Sequence, residues 1–264
     1  MHGYTSIGRV GAAPAWLPRL RHALTEDLFV LHFQPIVSLA DGAVSCHEAL
    51  LRLADEPDGS LVRPSCFLPF AERSGLIREI DRMVLAKTLE LLGTRCVCDP
   101  GGAPTAVAVN LSALSVIDPS LLAHLECELE CHRVDPALLM LEVTETVAIT
   151  DMPAARAFCA GALALGCSVA LDDFGSGYGS FQYLRHLPFS HLKIDGEFIR
   201  GLPSSHTDQL VVQALAGLVR GMGRETIAEF VADEHTIEIL RAFGVDYAQG
   251  FQVGRPRPIP ALAC

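Results

Sequence analysis

The chain is short of positive charge, of aromatic residues and of long apolar runs. Its 264 residues carry 20 Lys and Arg against 31 Asp and Glu, for a net charge of −11. That balance leaves no basic stripe to follow a phosphate backbone and argues against long nucleic acid as a partner. A small anionic ligand is compatible with it only where something local reverses the field, and divalent cations do so most simply. No apolar run reaches the ~18 residues needed to cross a bilayer. Met1 to Pro18 lacks the charged-then-apolar pattern of a secretory signal. A soluble, cytoplasmic protein without a membrane segment is the expectation.

The nine cysteines contain no CxxC array of the kind that frames a zinc site. The close pairs are Cys96-x-Cys98 and Cys127-x₃-Cys131. The second pair falls four apart in a helical stretch, so both thiols share a face, a pattern that buried thiols fit as well, and the cysteines read as structural or incidental. Several enzyme signatures are missing as well. No clean GxGxxG follows the first strand, and no Walker lysine follows the glycines at 175, 177 and 179. His47-Glu48 lacks the second histidine of HExxH, and there is no GxSxG elbow.

What is present is an alternation. Half of the residues are hydrophobic, and the length is close to the ~250 residues of one (β/α)₈ barrel. Short apolar runs end in polar residues: Ala106-Val-Ala-Val at Asn110, Leu138-Leu-Met-Leu at Glu142, and Ser168-Val-Ala-Leu at Asp172 and Asp173. The run from His191 to Ile194 includes Lys193 and reaches Asp195. Thr226-Ile-Ala ends at Glu229 and Tyr247-Ala at Gln249. Between them lie amphipathic stretches predicted as helices at 81–92, 119–130, 153–165, 208–219 and 234–243. Near-continuous apolar strands separated by helices indicate a parallel sheet covered on both faces, here an α/β barrel rather than an open sheet. Residues 1–15 and 257–264 read as tails around one domain at 16–256, and 52–65 reads as a surface loop.

In a barrel these strand ends converge on one mouth. Taken singly, an Asp, Glu or Asn there is usually a helix cap or a solvated loop residue. Together, Glu48, Glu142, Asp172, Asp173 and Glu229 with the amide of Asn110 make an oxygen-rich set that calls for hard divalent cations, Mg²⁺ or Mn²⁺. Adjacent Asp172 and Asp173 suit a two-ion site if the chain turns at the strand end. Lys193, inside an apolar run, needs a carboxylate partner. The segment Asp172-Asp-Phe-Gly-Ser-Gly-Tyr-Gly-Ser180 places a glycine-rich loop directly after the acidic pair.

These segments resemble one family. Gln34-Pro-Ile-Val, Glu48-Ala-Leu-Leu-Arg52, Asn110-Leu-Ser, Glu142-Val-Thr-Glu145, Asp172-Asp-Phe-Gly-Ser-Gly-Tyr, Leu192-Lys-Ile-Asp195, Ala228-Glu229 and Gln249-Gly-Phe are similar, in order, to the motifs of the EAL domain. The resemblance implies a TIM-like (β/α)₈ barrel with its first strand antiparallel. It implies cleavage of cyclic di-GMP to linear pGpG with two Mg²⁺ or Mn²⁺ ions. By the same resemblance, Glu48, Asn110, Glu142 and Asp172 hold one ion, and Asp172 and Asp173 the other, with Glu229 nearby. Lys193 contacts the attacking water and phosphate, and Glu229 is a candidate base. Gln249 stands near the water, and Glu145 anchors the glycine-rich loop. Gln34, Leu50, Arg52 and Asp195 are the substrate contacts, Arg52 to a phosphate and Gln34 to a guanine edge. A homodimer, and sensory or regulatory domains in a longer protein, are also implied.

The chain departs from the family where Ala-Glu-Gly-Val-Glu is usual and Ala228-Glu-Phe-Val-Ala232 stands, so Phe230 replaces a glycine and Ala232 a glutamate. Ser176, Gly179 and Ser190 are smaller departures. The alternative function is a catalytically silent module that binds cyclic di-GMP or a protein. A phosphodiesterase for another nucleotide is a third.

Overall fold

The computed structural model describes residues 16–54, 59–94, 105–144, 150–175 and 184–258. Eight strands close into a barrel: β1 Phe29–Ser38, β2 Val44–Leu53, β3 Ala106–Leu111, β4 Leu139–Thr144, β5 Ser168–Phe174, β6 His191–Ile194, β7 Glu225–Ala228 and β8 Tyr247–Gln249. From β2 to β8 every neighbouring pair is parallel. β1 closes the ring, antiparallel to both β2 and β8.

The helices lie outside. α1 is Trp16–Thr25, α2 Pro64–Ser74, α3 Ile77–Gly93, α4 Ala113–Val116, α5 Leu121–His132, α6 Met152–Leu165, α7 Gly196–Gly201, α8 His206–Gly221 and α9 Glu234–Phe243. Their ends follow local chemistry. Asp151 and Asp233 accept from the backbone N–H groups of Ala154 and Thr236, and left-handed Gly166 and Gly244 stop the same two helices. Among the described residues no helix is long and apolar enough to cross a membrane.

The predicted strands and helices are all found, with α3 starting at Ile77, four residues before the expected Asp81. Two expectations are corrected. The stretch 52–65 is not all loop: β2 runs to Leu53, which pairs with Val62, and α2 begins at Pro64. In the expected tail 257–264, Arg257–Pro258 forms a two-residue strand on β1, opposite Phe33 and His32. β8 is three residues long and covers only Ile36–Ser38 of β1. The returning chain therefore pairs with open backbone farther along, and Pro258, without an N–H, is tolerated at that edge.

The main core fills the space between barrel and helices. A smaller cluster plugs the barrel interior: Ile36, Cys46, Ala108, Met140, Ala170 and Ile227, one each from β1, β2, β3, β4, β5 and β7. This apolar plug is the floor on which the site stands.

Candidate active site

Side chains alternate along a strand, so the next inward position lies two residues on. Above Cys46, Ala108, Met140, Ala170 and Ile227 those positions are Glu48, Asn110, Glu142, Asp172 and Glu229. On antiparallel β1 the same step runs backwards, from Ile36 to Gln34. Lys193 on β6 and Gln249 on β8 complete a ring with one residue from each strand. All but Asn110 are buried. The residues expected to act together are thus one layer of a barrel.

Asp172 and Asp173 reach the mouth together because β5 bulges. Leu171 faces Leu192 and Phe174 faces Ile194, so three steps on β5 match two on β6. Asp173 absorbs the extra residue with φ +55°. A bulge of this kind re-aims a side chain that strict alternation would send outward. Neither Asp172 nor Asn110 caps a helix; the cap after β3 is Ser112, whose side chain accepts from Ser115 N–H.

Lys193 is at the centre, with Nζ 2.8 Å from Glu229 Oε1, 2.9 Å from Glu142 Oε2, 3.0 Å from Asp172 Oδ1 and 4.0 Å from Glu48 Oε2. Glu48 is held separately. Asn110 Nδ2 donates to its Oε1 at 2.6 Å, and Gln249 Nε2 donates to its Oε2. Gln34 sits behind them, donating from Nε2 to the Gly254 carbonyl at 3.0 Å.

The charge in this layer is unbalanced. Burial opposes the Lys193 ammonium, yet Asp172, Glu142, Glu229 and Glu48 together hold its pKa well above the usual lysine value. Burial, and then Asp172 and Glu48, push Glu229 up to about 7 although Lys193 pulls the other way. Burial and the charges of Asp172 and Asp195 push Asp173 up to about 6. Glu142 lies well above the carboxylate range for the same reason, burial first. Five carboxylates face one ammonium, and the crowding of their charges is what a bound cation would relieve.

The donors fit such ions. Asp172, Asp173 and Glu229 each offer an oxygen within 4.8 Å of the others. Glu142 Oε1 and Gln249 Oε1 are buried without a hydrogen-bond partner. Oxygen-only donors of this number are the chemistry of Mg²⁺ or Mn²⁺ rather than of a softer metal.

Above the layer opens a cleft of about 880 Å³, with Gln34, Glu48, Leu50, Arg52, Asp172, Asp173, Lys193, Glu229 and Gln249 among its lining. Arg52 lies within β2, and its Nη1 donates to the carbonyl of Leu51 at 2.7 Å. Asp195 is placed differently. It caps α7, accepting from Glu197 N–H at 2.6 Å, and its hydrogen bond to Asp173 helps to raise that carboxyl. Its side chain is half-buried and stands beside Asp173. Glu145 and Ser176–Ser180 lie outside the described residues. Sequence reading missed Arg63, Arg200, Arg255 and Phe251, which join Arg52 and Phe230 around the cleft. Arg200 covers the Phe230 ring and Arg255 the Phe251 ring, each 4.2 Å from the centroid. These residues come from loops and helix ends, where no periodicity marks them.

Comparison with known proteins agrees with this architecture. The EAL domain family matches residues 18–256. A Pseudomonas aeruginosa protein named bifunctional diguanylate cyclase/cyclic di-GMP phosphodiesterase MucR is 39% identical over 243 residues, 92% of this chain and 35% of its own length. Cyclic di-GMP phosphodiesterase PdeB of Shewanella oneidensis is 35% identical over 94% of this chain and 28% of its own. The chain thus spans about a third of the length of these curated relatives. Among solved structures, the PaMucR phosphodiesterase in complex with c-di-GMP superposes with a TM-score of 0.85 at 38% identity, covering 94% of this chain and 99% of that one. The Xanthomonas citri FimX EAL domain in complex with c-diGMP gives 0.84 at 33% identity, over 93% and 94%.

Proposed function

Because this chain belongs to the EAL domain family, we propose that it hydrolyses cyclic di-GMP to linear pGpG with two Mg²⁺ or Mn²⁺ ions. The observation that supports this reading is the ring itself: the strand ends bring the expected oxygen donors together around Lys193, and Asp172, Asp173 and Glu229 converge closely enough to share a cation. Glu48, Asn110, Glu142 and Asp172 are suited to hold one ion. Asp172 and Asp173, with Glu229, are suited to hold the other. Bound there, the ions neutralise phosphate charge and lower the pKa of the attacking water.

The chain's own residues do the rest. Glu229, at the strand end beside Lys193, is the candidate base for the attacking water. Lys193 keeps the carboxylates from repelling one another and places a positive charge beside the reacting phosphate. Asn110 and Gln249 fix Glu48 in one orientation. Arg52 offers a planar fork to a non-reacting phosphate. Gln34, oriented by the Gly254 carbonyl, presents its amide to a guanine edge, and Leu50 supplies apolar contact. Asp195 acts through Asp173, and Glu145 anchors the glycine-rich loop. The barrel at 16–256 is the catalytic unit, a cytoplasmic module that works as a homodimer alongside sensory or regulatory domains.

A second reading rests on one observation. Phe230 stands beside Glu229 with φ +55° and its ring half exposed in the cleft, where the family usually has glycine. A cleft so occupied favours a module that binds cyclic di-GMP without cleaving it. Incubation with cyclic di-GMP and either Mg²⁺ or Mn²⁺, with chromatographic detection of pGpG, separates the two. Turnover supports the enzyme, whereas tight binding without product under both metals rejects it in favour of the receptor.

A further inference from the structure

Helix α5 carries a feature that the barrel mouth does not use. It buries Leu121, Leu125 and Leu129 and turns Cys127 and Cys131 to solvent. The expectation of buried thiols on one face is corrected here. They do share a face, but it is the face opposite the leucines' contact with the barrel. Their Sγ atoms lie 3.9 Å apart.

That separation suits a tetrahedral metal. Two sulfurs each about 2.3 Å from one ion, at the tetrahedral angle, stand about 3.8 Å apart. The two thiols are therefore already at the bite distance. Further donors stand along the same helix, His124 on the side of the thiols and His132 toward the leucine face. His124 is three residues before Cys127, with Glu128 between the cysteines. His124 Nδ1 is 3.9 Å from Glu128 Oε1, while His124 Nε2 is buried without a hydrogen-bond partner. His132 Nε2 is 3.4 Å from Glu128 Oε2. α5 also contains Glu126 and Glu130, with Arg133 as its C-cap.

The geometry points to a binding site for a thiophilic d¹⁰ cation of the Zn²⁺ class on the outer face of α5, with Cys127 and Cys131 as ligands. Binding converts both thiols to thiolates and releases two protons to solvent, with no change of oxidation state. His124, turned about its side-chain bonds, or water fills the remaining positions. Soft sulfur donors distinguish this site from the oxygen donors of the barrel mouth, which suit hard ions.

Cd²⁺ is the probe, because thiolate-to-Cd²⁺ charge transfer absorbs in the ultraviolet and carboxylate ligation does not. The whole purified chain is titrated in reductant-free buffer after removal of bound metal, with Mg²⁺ present to occupy the barrel mouth. The wild type should develop the band with one equivalent. Cys127→Ser and Cys131→Ser should each weaken Cd²⁺ binding at least about tenfold, and the double variant should abolish the one-equivalent band. Cys66→Ser, at the other exposed cysteine among the described residues, should leave it unchanged. Both changes are at exposed positions, and circular dichroism checks that the fold persists. A band that survives in the folded double variant, or is lost with Cys66→Ser, overturns the proposal.

Discussion

Lys193 Nζ stands 2.8 Å from Glu229 Oε1 in the buried floor of the cleft, with Glu142 and Asp172 at nearly the same distance. One ammonium therefore holds three carboxylates apart. Removing it leaves buried charges without a partner, a change that costs about 3–5 kcal/mol. Lys193→Met should lower the metal-free protein's stability by that order, read as a shift of the urea midpoint. Mg²⁺ or Mn²⁺ should recover part of the loss, since cations satisfy the same oxygens. A metal-free midpoint equal to wild type would show that the four groups are not coupled.

The raised carboxyls set a pH dependence. Asp173 at about 6 and Glu229 at about 7 keep a proton in the folded chain where the unfolded chain, titrating near 4, has lost it. The folded state binds more protons in that window, so stability falls as pH rises from the unfolded range through about 7. In EDTA the melting temperature should fall between about pH 5 and about pH 8. Added Mg²⁺ should flatten the slope by displacing those protons. A melting temperature that rises with pH in EDTA would show that these two carboxyls are not raised in the folded chain.

Glu229→Gln tests the base. The amide keeps the size and one oxygen of the side chain but cannot accept the proton, so kcat should fall by about 10²–10⁴. Cyclic di-GMP binding should persist, and the acidic limb of the pH–rate profile should move. Loss of binding alone, with kcat retained at saturation, would make Glu229 a structural residue.

Ca²⁺ should inhibit. Its bonds are longer and its geometry looser than those of Mg²⁺, so it can occupy the carboxylates while misplacing the reacting groups. Initial rates at fixed Mg²⁺ should fall as Ca²⁺ rises. Strong turnover supported by Ca²⁺ alone would rule out the two-ion assignment.

The sequence made the polar layer legible because each apolar run stops at an inward position, and period-2 alternation carries that position into the mouth. Asn110, Glu142, Asp172, Glu229 and Gln249 are visible in this way. The antiparallel β1 came only through family resemblance, since Phe29–Ser38 carries no local mark of direction. The bulge that turns Asp173 inward depends on register with β6, which pairwise strand geometry decides. That Asp195 also caps α7 was not legible, because capping and binding favour the same residue type. Arg63, Arg200 and Arg255 meet only once the barrel has closed.

Phe230 is the departure with the clearest consequence. Its φ of +55° suits glycine, and the ring fills the space where a Cβ on Gly196 would lie. Left-handed backbone costs a non-glycine residue about 1–2 kcal/mol. Glycine instead loses about 0.5–1 kcal/mol through the unfolded chain. It also loses the Arg200 contact, about 0.5–1 kcal/mol at an exposed site. These effects nearly cancel, so Phe230→Gly should leave stability within about 1 kcal/mol of wild type. Phe230→Ala keeps the strain and loses the ring, and should be destabilised by about 0.5–1 kcal/mol. If the ring obstructs the cleft, Phe230→Gly should raise kcat, whereas if it holds the ligand, KM should rise with kcat unchanged. Thermal melts and a kcat-against-KM comparison of both variants settle which role the ring plays. A Phe230→Gly variant less stable than Phe230→Ala by about 0.5–1 kcal/mol, the entropy cost of glycine alone, would show that the backbone at residue 230 is not strained.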